Sequence, residues 1–178
     1  MTERYEFELV FGLPKGKYDP FELSDAVFEA GFEDAVVGTG NARLLSVELE
    51  AAGGDAETAM LAAAKAILKN LPAGTELREV RPDLVSQADV AGKLGISKQS
   101  LQKKEMPLPV TAGLYRIDEM EEALIREEKT AKRSPRFQVS SARNWFRAGQ
   151  AARRLNARIA LKTLDSYSLE EADPAPKA

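Results

Sequence analysis

At 178 residues, with 44% hydrophobic and 30% charged side chains, the chain has the make-up of a soluble globular protein of one or two domains, long enough to bury a real core. It contains no cysteine and no histidine, which excludes disulfides, iron–sulfur clusters, the usual zinc sites and Ser-His-Asp or Cys-His catalysis; the expectation is a chain with no metal, no cofactor and no enzymatic activity. The formal charge of −3 is uneven: residues 1–84 hold 8 basic and 16 acidic side chains, residues 85–162 hold 16 and 8, and residues 163–178 hold 1 and 4.

An acidic first half thus precedes a basic middle, and the basic part is the one suited to phosphate. No apolar run approaches the length of a membrane span. The opening MTERYEFEL is charged and lacks the apolar stretch of a secretory leader. The expected location is the cytoplasm.

Residues 1–83 read as an acidic domain. Tyr5–Phe11 alternates as a strand should. Asp19, Pro20 and Glu22 open a helix as N-cap, first residue and capping-box partner, and its inward positions are Phe21, Leu23, Val27 and Phe28. Ala35–Val37 is a short strand, Gly38–Asn41 a turn and Leu44–Leu49 a strand. Asp55 caps an alanine-rich helix to about Leu68, and Glu76–Val80 closes the domain as a last strand. The order βαββαβ predicts an α+β fold, a ferredoxin-like sandwich. An RNA-recognition role needs aromatics on the third strand, and residues 43–49 have none. Gly38-Thr39-Gly40 lacks the third glycine and the following helix of a nucleotide loop, so it reads as a hairpin turn. Sensing and dimerisation remain as uses for this domain, by analogy of fold alone.

The most informative stretch is Gln87–Leu101. Ser86 and Asp89 make a capping box that starts a helix. Ala91 is small where two helices must approach, Gly95 stands where the backbone reverses in the left-handed region, and Ile96 plugs the gap. Ser97 caps a second helix, and Leu101 faces back toward Val90, Leu94 and Ile96. This spacing is that of a helix-turn-helix, although a helical hairpin with no nucleic-acid role shares it. The second helix presents Ser97, Lys98, Gln99, Gln102 and Lys103 outward. Lysine suits phosphate or guanine, and glutamine suits the adenine edge in the major groove.

Met106–Pro109 stops the helix. Val110, Thr111–Gly113 and Leu114–Arg116 then read as strand, turn and strand, a short wing, and Asp118 with Glu121 opens another helix through a capping box. Met120, Leu124 and Ile125 form its apolar side. Residues 84–130 read as a DNA-binding domain; about Leu84–Glu128 resembles the winged helix-turn-helix of the excisionase and MerR-like bacterial families, and Arg81–Lys103 carries most of that resemblance. The excisionase-like branch fits better, because the aromatic-rich segment usual in MerR proteins after the recognition helix is missing. Lys104, where many such units carry an apolar residue, points to a short recognition helix. The resemblance implies DNA binding, with Arg116 of the wing on the backbone and the residues of the second helix on the bases.

Residues 131–140 read as a charged, proline-broken linker and residues 141–165 as an amphipathic helix. On that helix Trp145, Ala148, Ala152, Leu155 and Ile159 form one stripe, to pack on the body or on another copy, and Phe146 lies off it. Arg143, Arg147, Arg154 and Arg158 lie opposite, as a solvated face or as contacts to the DNA backbone or a partner. Residues 166–178 read as a disordered tail. The whole reads as a sequence-specific regulator that binds double-stranded DNA, as a homodimer, because one short helix reads few base pairs. Two alternatives stand beside it. One is an excisionase-like recombination or architectural factor; the other is an antitoxin-like module that grips a protein partner through the first domain or the last helix.

Overall fold

A computed structural model of the chain describes residues 1–133 and 137–173. Its first part runs β1 (Glu3–Gly12), α1 (Pro20–Glu29), β2 (Val36–Asn41), β3 (Leu44–Gly53), α2 (Ala56–Leu68) and β4 (Glu76–Arg81). The four strands form one antiparallel sheet in the order β2-β3-β1-β4. Period-two alternation sends Tyr5, Phe7, Leu9 and Phe11 of β1 to one face, with Leu45, Val47 and Leu49 of β3 beside them. Leu23 and Val27 of α1 and the alanine-rich side of α2 close over that face. The opposite face carries glutamates, among them Glu6, Glu8, Glu48 and Glu50, with Glu6 opposite Glu50 and Glu8 opposite Glu48.

The second part runs β5 (Leu84–Val85), α3 (Gln87–Leu94), α4 (Lys98–Gln102), β6 (Tyr115–Arg116), α5 (Ile117–Thr130), a 3₁₀ turn (Val139–Ala142) and α6 (Arg143–Ala160). It builds a second core from Val85, Val90, Leu94, Leu101, Ile117 and Met120, among others. Helix α6 belongs to both cores. Trp145 and Phe146 at its start pack in the second, while Ala148, Ala151, Ala152 and Leu155 pack on the sheet beside α2. Helix α6 comes close to its neighbours at Gly149, where an added Cβ would stand 2.5 Å from the Pro82 carbonyl oxygen and would also collide with the Ile117 side chain.

Several sequence expectations change here. Phe21 and Phe28 are both exposed, at 80% and 36%, because α1 meets the sheet through the i, i+4 pair Leu23 and Val27 instead. The turn expected at Gly38–Asn41 is strand; the chain reverses at residues 42 and 43, where Asn41 Oδ1 accepts the Arg43 N–H at 2.9 Å and fixes the bend. The wing is less regular than expected. Pro107 and Pro109 deny donors to the arm before the turn. One bridge, Thr111 to Leu114, closes the turn, and Tyr115–Arg116 pairs with Leu84–Val85 ahead of α3.

Helix α5 begins at Ile117 without a side-chain cap. The expected box of Asp118 and Glu121 does not form, because Arg153 of α6 takes Asp118 and Gln150 donates to Glu121 at 2.7 Å. Of the expected linker, residues 134–136 lie outside the described residues, and Phe137 and Val139 are buried in the second core. The last helix is shorter than residues 141–165. After Leu161 the chain turns through Lys162 (φ 59°) and folds back, burying Leu164 and Leu169 against the sheet domain. The tail expected from 166 onward is therefore ordered to residue 173: the Ser166 carbonyl accepts from the Leu77 N–H at 2.8 Å. Residues 174–178 lie outside the described residues.

Candidate nucleic-acid interface

The α3–α4 unit is built by local chemistry. The Ser86 hydroxyl accepts the Asp89 N–H at 3.1 Å while the Asp89 carboxylate accepts the Ser86 N–H at 2.8 Å, so two of the four orphan donors at the start of α3 are satisfied reciprocally. Gly95 ends α3 in the left-handed region (φ 67°, ψ 29°). A residue with a Cβ is strained there, which is why the turn needs glycine. The Ser97 hydroxyl accepts the Ser100 N–H at 3.1 Å and starts α4. Ala91 is buried at the crossing and Leu101 is fully buried against Val90 and Leu94. Burying Leu101 fixes the rotation of α4 about its axis.

That rotation leaves Ser97, Lys98, Gln99, Gln102 and Lys103 exposed together on α4, as expected from the sequence. Among the described residues Lys98 and Lys103 enter no ion pair. Gln102 is held from below: its Nε2 donates to Gln87 Oε1 at 3.2 Å, and Gln87 Nε2 donates to the Tyr115 hydroxyl at 3.2 Å. Gln87 and Tyr115 were not singled out in the sequence, because their spacing of 28 residues carries no local signal. Lys104, the odd residue of the motif, lays its stem over the second core with Nζ 5.1 Å from the centroid of the Phe137 ring. Arg116 is half-exposed at the head of α5, with Nη1 3.5 Å from Glu119. Leu108, 85% exposed, stands beyond α4.

The arginines of α6 have a different environment. Arg147 and Arg143 lie 2.9 and 3.8 Å from the Glu3 carboxylate, and Arg158 and Arg154 lie 2.7 and 3.3 Å from that of Glu57. The basic helix thus lies against acidic residues of the sheet domain, and part of the charge asymmetry of the sequence is internal pairing. Burial pushes the Glu121 carboxyl up from its ordinary range, against the Gln150 hydrogen bond and Arg147, which pull it down. Hydrogen bonds from the Thr58 backbone and hydroxyl hold Asp55, the cap of α2, below the usual carboxylate range.

Among the described residues no group of three or more carboxylates is arranged to hold a metal ion, and no helix is long and apolar enough to cross a membrane. The chain matches no protein-family model, no curated protein and no solved structure.

Proposed function

We propose that this chain is a sequence-specific regulator that binds double-stranded DNA in the cytoplasm, without enzymatic activity, and that α4 enters the major groove. The observation that carries this reading is the exposed face of α4: two lysines with no carboxylate partner among the described residues, beside two glutamines, on a short helix whose rotation is fixed by Leu101. Lys98 and Lys103 would meet phosphate or guanine, and Gln99 and Gln102 an adenine edge. Arg116 would reach the backbone after parting from Glu119, an exposed pair of small worth.

The strand order β2-β3-β1-β4 supports a ferredoxin-like reading of the first part. The order of α3, α4, the bridged turn and α5 supports a winged helix-turn-helix reading of the second. A homodimer fits best, because five helical residues read few base pairs and a twofold repeat doubles the contact. Gripping a protein partner through α6 is the weaker alternative, since the apolar side of that helix is spent on both cores of its own chain.

The test is recovery of fragments from sheared genomic DNA of the source by the purified protein, at about physiological salt. The expected result is a shared motif, often in two half-sites, that is lost in the variant with Lys98, Gln99, Gln102 and Lys103 all replaced by alanine. Enrichment indifferent to those four residues would overturn the proposal. Bending of the bound DNA without an effect on transcription would move the assignment to an architectural factor.

A further inference from the structure

The glutamate-bearing face of the sheet and helix α3 flank an open cleft of about 650 Å³. Pro82, Leu84, Leu114 and Trp145 give it an apolar wall, and Glu8, Glu48 and Glu79 line it from the strands. That volume is in the range of small-molecule sites, and the lining joins the apolar wall to charged side chains that include Glu6, Arg81, Asp89 and Lys93.

The charge in the cleft is out of balance. Glu8 and Glu48 stand directly opposite each other on β1 and β3, an arrangement that weakens a sheet. Arg81 is shared between Glu8 at 3.8 Å and Glu79 at 3.2 Å, and among the described residues Glu48 enters no ion pair. Burial raises the Glu8 carboxyl above its ordinary range, and Glu48 and Glu79 add to the effect against Arg81. The cleft also holds one alkyl ammonium already. Lys93 reaches in from α3, ion-paired to Glu6, with Nζ 5.8 Å from the centroid of the Trp145 ring. A carboxylate with an aromatic face is the pairing that recognises an ammonium ion on an apolar stem.

We propose that this cleft is a binding site for a small organic ammonium ion with an apolar or aromatic body, which supplies the missing cation beside Glu8 and Glu48 and lays its body on the wall that includes Trp145. The acidic lining selects against anions and gives a neutral analogue nothing to exchange for its lost hydration. The proposal stands independently of the DNA reading.

Trp145 is the single tryptophan of the chain, so its fluorescence reports on the cleft. The probes are phenethylammonium and benzyltrimethylammonium, with 2-phenylethanol as the neutral analogue, titrated into the full chain with calorimetry in parallel. A saturable change is expected with either ammonium ion and none with the alcohol. Glu48→Gln is expected to weaken binding roughly ten-fold or more, the loss of one charge-assisted contact. The same variant is expected to keep or raise the thermal midpoint, since its repulsion with Glu8 is gone, and the opposite directions of the two effects separate a binding role from a structural one. Glu8→Gln gives a second variant with the same expected loss. No saturable response in the millimolar range, equal binding of the alcohol, or unchanged affinity in both folded variants would overturn the proposal.

Discussion

Helices α4 and α6 are both basic, and they use their charge in opposite ways. On α6, Arg143 and Arg147 lie against Glu3, Arg154 and Arg158 against Glu57, and Arg153 against Asp118. On α4, Lys98 stands in solvent, and Lys103 follows it at the cap, with no carboxylate partner for either among the described residues. A count along the sequence cannot separate the two cases. What matters for an electrostatic interface is how the fold places its charges: every one of these α6 arginines lies within 4 Å of a carboxylate, while the α4 lysines face none among the described residues.

The difference can be sharpened by mutation. Phe146, fully buried at the junction of α6 with the second core, should show the largest effect: Phe146→Ala is expected to cost about 3–5 kcal/mol in chemical denaturation. Gly149→Ala places a methyl against the Pro82 carbonyl and Ile117, and an overpacked contact of this kind costs about 1–3 kcal/mol. Equal stability of either variant would mean that α6 does not join the two cores. Ser86→Ala removes one half of the α3 capping box and should cost about 1 kcal/mol.

The smallest effect concerns Glu8. Its folded-state carboxyl titrates above its ordinary value, so its contribution to stability is fully present at acid pH and is lost as pH rises through the folded value. Glu8→Gln should therefore stabilise the protein at neutral pH, with the gain shrinking as the pH falls into the carboxylate range. A gain independent of pH would place the effect elsewhere.

The sequence was most readable where structure is decided within a few residues. Ser86, Gly95, Ser97 and Leu101 specify caps, turn and rotation by local rules, and each occupies its expected place. Two of the misreadings share one cause, a partner distant in the chain. Asp118 fails as a cap because Arg153 competes for it. Phe146 lies off the stripe that Trp145 and Ala148 define, yet it is buried because α6 meets a second core at its start. Asn156 gave no signal at all. Its side chain pairs with the Val80 N–H and carbonyl, both at 2.8 Å, and covers the free edge of β4 as a neighbouring strand would. The cleft was equally invisible, since Glu6 and Lys93 are 87 residues apart.

The most direct test of the contrast between the two helices is the salt dependence of affinity for a fragment recovered from genomic DNA. Each phosphate contact that is removed lowers the slope of log K against log salt by about 1. Replacing Lys98 and Lys103 by alanine is therefore expected to lower the slope by about 2 per chain, while replacing Arg154 and Arg158 leaves it unchanged. A slope that falls with the α6 arginines and not with the α4 lysines would contradict the assignment of the interface to α4.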